Sequence, residues 1–303
     1  MNKKGLIFLL AFPIVLHLCN LFFLHFRAES SPNRCVHRFR KEFTTPVEGL
    51  DTSTLDAILS QPFHYLGQGK QMVAYESEDG KVVLKLFNPM SPLKKGWYTR
   101  WTLWKRYSSL KWFSREWLSQ KERLFKLFKR HKIAFEHLQD ETGLLYVHLS
   151  PSEKITHYLH LTDQHGKKHI LPLENTPFVL QEKAVPVPTY LTQLLNNHEI
   201  EKAALAIGRL EALFEKRTEL GITDRIQTMH NNYGFVGDKP IQIDVGRIHM
   251  NEELIPDKEA EKRRLNESLH SWVSAHFPQL FEEHKAICSD LINEPLPSLG
   301  KNQ

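Results

Sequence analysis

The chain has 303 residues, 41% of them hydrophobic and 25% charged, with a formal net charge of +5. That composition excludes a disordered or repetitive chain, and so small a net charge gives no reason to expect a nucleic-acid partner. Cys19, Cys35 and Cys288 are too few for a disulfide framework; at most Cys35 and Cys288 would pair, and free thiols are the default reading.

In chain order the first element is Gly5 to Phe26, 22 residues without Asp, Glu, Lys or Arg, interrupted by Pro13, His17, Asn20 and His25. At about 1.5 Å per residue such a helix spans a bilayer, and the pattern predicts an uncleaved single-pass anchor. A cleaved signal peptide is the alternative, but no Ala-x-Ala-like site precedes Arg27, and Cys19 lacks the small residue expected before a lipoprotein cysteine. Lys3 and Lys4 precede the span, whereas Arg27, Arg34, Arg38, Arg40 and Lys41 follow it. The positive-inside rule then puts the globular part in the cytoplasm.

After a linker, residues 66–87 read as a glycine-rich hairpin that delivers Lys85 from the middle of an apolar strand. Gly67 and Gly69 lack side chains, so backbone N–H groups there can approach phosphate oxygens. Asp79-Gly80 is a strong hairpin turn. Val82, Val83, Leu84, Leu86 and Phe87 surround Lys85, whose ammonium needs an anion or a route to solvent. An ordinary surface hairpin with a snorkelling lysine is the plainer alternative.

The next segment, 94–117, carries five of the six tryptophans among lysines and arginines. Two readings stand: an interfacial helix at lipid headgroups, or rings packed beside the following helix. That helix is expected over Ser114 to about Leu138 and contains Glu116 and Glu122. Strands are expected over Gly143–Leu149 and Thr176–Lys183, with an inserted hairpin over Ile155–Leu171 that turns at Asp163-Gln-His-Gly166. Further on, Tyr233–Val236 and Ile241–Ile243 read as two strands around a turn, preceded by Asn231-Asn232 and followed by Asp244-Val245-Gly246. An amide and a carboxylate near one hairpin edge suit Mg²⁺, although plain turn chemistry produces the same letters. The residues after Arg247 read as helical, highly charged over Asn251–Leu269 and amphipathic over Leu269–Ile287.

Taken in order, these segments resemble the protein-kinase-like superfamily over roughly residues 60–250. Asp244-Val-Gly is similar to the metal-binding Asp-Phe-Gly of protein kinases, and Asn231 stands 13 positions before it, with Asn232 nearly as well placed. Arg115-Glu116-Trp117 resembles the equivalent helix of bacterial lipopolysaccharide-core sugar kinases. The resemblance implies an α+β, bilobal fold: an N-lobe antiparallel sheet plus helix, and a reduced helical C-lobe. It further implies ATP and Mg²⁺ as cofactors, with Gly67 and Gly69 over the phosphates and Lys85 paired with Glu116, or with Glu122. Asn231 or Asn232 with Asp244 would hold the metal, and the adenine would sit at a hinge near Gln181–Ala184.

One departure concerns the acceptor-orienting aspartate, which the family carries five residues before the catalytic-loop Asn. Ile226 or Gln227 stands there, and the nearest aspartate is Asp224; His230 is another candidate base. Met72 replaces the third glycine of the phosphate loop. The resulting organisation is an anchor at 1–27, a linker at 28–58, an N-lobe at 59–183 with the aromatic-basic insert, a C-lobe at 184–290 and a tail at 291–303. Too little chain follows Asp244 for a peptide-docking lobe, so a small-molecule, sugar or lipid hydroxyl is the expected acceptor. The competing expectation is a catalytically inactive scaffold that docks a protein partner of unknown identity at the membrane.

Overall fold

The computed structural model describes residues 50–69, 71–88, 111–150, 157–174, 176–224, 227–250 and 257–293, with residues 32 and 155; over 111–123 and 288–293 the description is of backbone. The expected span at 5–26 and the insert from 94 to 110 lie outside the described residues. Among those described, no helix is long and apolar enough to cross a membrane. They form two compact units, one from the stretches up to Lys129 and Leu144–Lys183, the other from Arg130–Gly143 and from Ala184 onward.

The first unit is built on a seven-stranded sheet. Helix α1 (Thr52–Leu59) starts at Asp51, whose carboxylate accepts from Thr54 N–H at 3.0 Å and so satisfies one of the donors that a helix start leaves open. Strands β1 (Phe63–Gln68), β2 (Met72–Ser77) and β3 (Val82–Phe87) form a meander. The β2–β3 turn is set by Gly80 at φ 69°, while Asp79 Oδ1 accepts from Ser77 Oγ at 2.7 Å and Lys81 N–H at 3.1 Å. The described chain resumes with α2 (Lys111–His137), α3 (Gln139–Thr142) and β4 (Leu144–His148), then β5 (Tyr158–Thr162), β6 (Lys168–Pro172) and β7 (Phe178–Glu182).

The sheet order is β4-β7-β3-β2-β1-β5-β6, so the β5–β6 hairpin extends the edge beyond β1. Every pairing is antiparallel except β1–β5. The expected wholly antiparallel sheet is corrected at this edge: β5 is reached by crossing from β4 at the opposite edge, and a crossover rather than a hairpin permits parallel pairing. Leu84, Leu86, Phe63, Leu159 and Phe178 belong to the core of this unit.

The second unit is mainly helical. It contains β8 (Val185–Pro186), α4 (Val187–Asn196), α5 (Ile200–Glu219), β9 (Ile222–Asp224), α6 (Met229–Asn232), β10 (Tyr233–Val236), β11 (Lys239–Gln242), β12 (Ile248–Met250), α7 (Lys258–His276) and α8 (Pro278–Asn293). Helix α5 is central because Ala203, Ile207, Leu210 and Phe214 recur at helical spacing on one buried face. Leu265, Leu269 and Val273 of α7 and Leu280 of α8 join the same core. Two small sheets, β11-β10-β8 and β12-β9, complete the unit. Val236 pairs with Lys239 across Gly237, at φ 57°, and Asp238, so β11 begins directly after a two-residue turn.

Candidate functional site

In the first unit, Lys85 pairs in register with Ala74 of β2 and Val179 of β7. Alternation puts Val82, Leu84 and Leu86 into the core and Lys85 on the other face with Val83 and Phe87. Phe87 packs edge-on against Phe128 of α2, with ring centroids 4.6 Å apart, so the lysine shares its face of the sheet with a residue that meets α2. The side chains of Glu116 and Glu122, on that helix, lie outside the described residues.

Gly67 lies at an irregularity in β1, where the register with β2 shifts after Tyr65. A Cβ built there meets no atom of the described residues within 4 Å, so none of these requires glycine at this position. Gly69 differs, because its N–H already donates to the Met72 carbonyl at 2.8 Å and closes the loop. Of the two glycines, Gly69 is therefore engaged by the hairpin itself.

In the second unit, Asn231 is exposed and Asn232 buried. The Asn232 carbonyl accepts from Ile243 N–H at 2.7 Å and from Asp244 N–H at 3.4 Å, which joins the Asn-Asn turn to the Asp-Val-Gly turn. Asp244 is exposed, and its Oδ1 accepts from Gly246 N–H at 2.8 Å, which orients the carboxylate. Arg130 Nη1 donates to the Gly246 carbonyl at 2.5 Å and Val245 is buried, so both sides of the turn are held. One carboxylate and one amide are oxygen donors of the kind Mg²⁺ takes.

Asp224 is fully buried at the end of β9. Gln242 Nε2 donates to its Oδ2 at 2.9 Å and to the Asp244 carbonyl at 3.0 Å. Gln242 Oε1 in turn accepts from Arg217 Nη1 at 2.8 Å, and the same nitrogen donates to the Tyr233 hydroxyl at 2.8 Å. Arg264 holds Glu261 through two bonds of 2.7 Å and donates to the Asp224 carbonyl at 3.2 Å. Burial raises the Tyr233 pKa, and Arg217 beside it works in the opposite direction. Arg217, Asp224, Glu261 and Arg264 thus bring balanced charge into one cluster, as buried ions require.

Gln242 and Arg217, the hub of this cluster, are the residues that sequence reasoning missed. Gln242 alternates with Ile241 and Ile243, which by pattern alone puts it toward solvent. His230, the other base considered, has Trp272 and His276 at ring centroid distances of 6.4 Å.

No protein-family model matches the chain, and no curated protein matches it significantly. Among solved structures, it is similar to the bifunctional kinase-methyltransferase WbdD, with 13% identity over 77% of this chain and 45% of that one, at a TM-score of 0.33. It is also similar to Rv3197 of Mycobacterium tuberculosis, solved in complex with erythromycin, with 16% identity over 67% of this chain and 53% of that one, at a TM-score of 0.33. The chain thus spans about half the length of each.

Proposed function

We propose that the chain is a nucleotide-dependent phosphotransferase of protein-kinase-like, bilobal fold, using ATP and Mg²⁺ and acting on a small-molecule, sugar or lipid hydroxyl. In this reading, residues 5–26 anchor it to the membrane and the globular part faces the cytoplasm. The observation that carries the proposal is the backbone tie between the Asn-Asn and Asp-Val-Gly turns, beside which the Asp244 carboxylate is exposed on a turn held by Arg130 and Val245. Supporting it, Lys85 stands in the middle of β3 on the sheet face where Phe87 meets α2. Lys85 would hold phosphate oxygens, paired with Glu116 or Glu122, and Gly67 would admit the phosphates. Asp244 with Asn231 or Asn232 would hold Mg²⁺.

The test is thermal melting of the full chain with and without excess Mg²⁺-ATP, beside Lys85→Met and Asp244→Ala. A ligand that binds the folded state raises the midpoint. The expected result is a metal-dependent rise that both variants lose; a rise that persists in both would overturn the assignment.

A second reading, a nucleotide-binding or partner-docking scaffold without catalysis, is favoured by one specific observation. The Asp224 carboxylate is buried and bonded to Gln242, which suits a structural role better than orienting an acceptor. Phosphoryl transfer that survives in a folded Asp224→Asn variant would show another residue orienting the acceptor. Nucleotide binding with no transfer to sugars or lipids would favour the scaffold.

A further inference from the structure

Away from the residues discussed above, three chemistry-bearing side chains from three helices of the second unit converge. Glu211 comes from α5, His270 from α7 and His284 from α8, and one ligand atom of each lies within 4.8 Å of the other two. Glu211 Oε1 is 2.5 Å from His270 Nε2 and 3.3 Å from His284 Nε2. His284 is buried, and its Nδ1 faces the Ala204 carbonyl of α5 at 3.2 Å.

That last contact fixes the side of the ring that faces Glu211. A carbonyl only accepts, so Nδ1 must carry the hydrogen, and a neutral His284 then turns the Nε2 lone pair toward the Glu211 carboxylate. Two acceptors at that distance repel unless a proton or a cation lies between them. A backbone carbonyl on the far nitrogen is also the usual support of a metal-bound imidazole.

We propose that Glu211, His270 and His284 form a binding site for a divalent transition-metal ion of the zinc class. Two imidazole nitrogens and one carboxylate oxygen are a known zinc donor set, with a fourth position for water or a further donor. Tetrahedral ligands at about 2.0–2.1 Å from a zinc ion stand about 3.3 Å apart. The Glu211–His284 spacing already has that value, and His270 would have to withdraw by somewhat under 1 Å. Glu211 also borders a polar cleft of about 470 Å³ with Gly208, Glu215, Lys262 and Asn266, which offers an entry path. Bound metal would fasten α8 to α5 and α7.

The experiment uses the full chain, stripped with a chelator, and titrates it with Zn²⁺ against a chromophoric competitor and, separately, with Co²⁺. His270→Ala and Glu211→Gln are run beside it, with circular dichroism to confirm that each is folded. The expected result is one Zn²⁺ equivalent in the wild type that is weakened about 100-fold or more in both variants. Co²⁺ should give the strong visible absorption of a tetrahedral site, lost in both variants, and Zn²⁺ should raise the wild-type melting temperature but not theirs. Equal Zn²⁺ binding by the wild type and folded variants would overturn the proposal, as would a wild type that takes up no Zn²⁺.

Discussion

The two aspartates singled out from the sequence have opposite environments. Asp224 is buried and accepts from Gln242, so Asp224→Ala leaves a buried amide donor and Arg217 without their acidic neighbour, and should cost about 3 kcal/mol. Asp244→Ala removes an exposed carboxylate and one turn bond, and should cost about 1 kcal/mol or less. Urea denaturation of the two variants checks this contrast; similar losses would mean that the Asp224 cluster is not a structural centre. Gly67 offers a complementary test because, among the described residues, nothing fills the space its Cβ would occupy. Gly67→Ala should retain or gain up to about 1 kcal/mol, since glycine weakens a strand interior, yet reduce the Mg²⁺-ATP melting shift. An unchanged shift would remove this glycine from the phosphate-binding proposal.

At the scale of elements, the pairing of β8 with β10 depends on a close approach. A Cβ on Gly234 would lie 2.6 Å from the Val185 carbonyl oxygen and 2.8 Å from Ile243 Cδ1. A backbone atom cannot yield without moving the strand, so Gly234→Ala should cost at least about 2 kcal/mol. Unfolding midpoints in denaturant measure it, and a loss under about 0.5 kcal/mol would show that β8 shifts freely. Element boundaries were legible where punctuation was strong. Asp79-Gly80 marked the β2–β3 turn correctly, and Asp163-Gln-His-Gly166 marked that of β5–β6. The change from charged to amphipathic at Leu269 is not a helix boundary, because Leu269 and Val273 continue one buried face of α7; the boundary falls at Pro278, which opens α8. Likewise β11 starts at Lys239 rather than Ile241, since the two-residue turn sets its register irrespective of Pro240.

For the molecule as a whole, the first unit carries a built-in acid sensitivity. Burial lowers the His148 pKa to about 4, against a partly opposing contact with the Leu173 backbone. The folded form therefore holds His148 neutral, while the unfolded chain takes up a proton below about pH 6.5. Stability from this group is fully present above that pH and declines as pH falls toward 4, by about 3 kcal/mol in total. Hydrogen exchange of β4 and β7 amides between pH 7 and 4.5, corrected for the intrinsic rate, should show the decline, and His148→Phe should flatten it. An identical profile in that variant would assign the acid sensitivity elsewhere.

The sequence by itself determined what neighbours along the chain can settle. The hairpin turns, the strand that presents Lys85, the long helix α2 and the Asp-Val-Gly turn follow from local geometry and from apolar spacing over a few residues. Tertiary structure alone decided which polar side chains share a buried site. Gln242 meets Arg217 across 25 positions and Asp224 across 18, and Glu211 meets His270 across 59. No periodicity encodes such meetings, because they depend on how separate elements pack and on which charges must be paired once water is excluded.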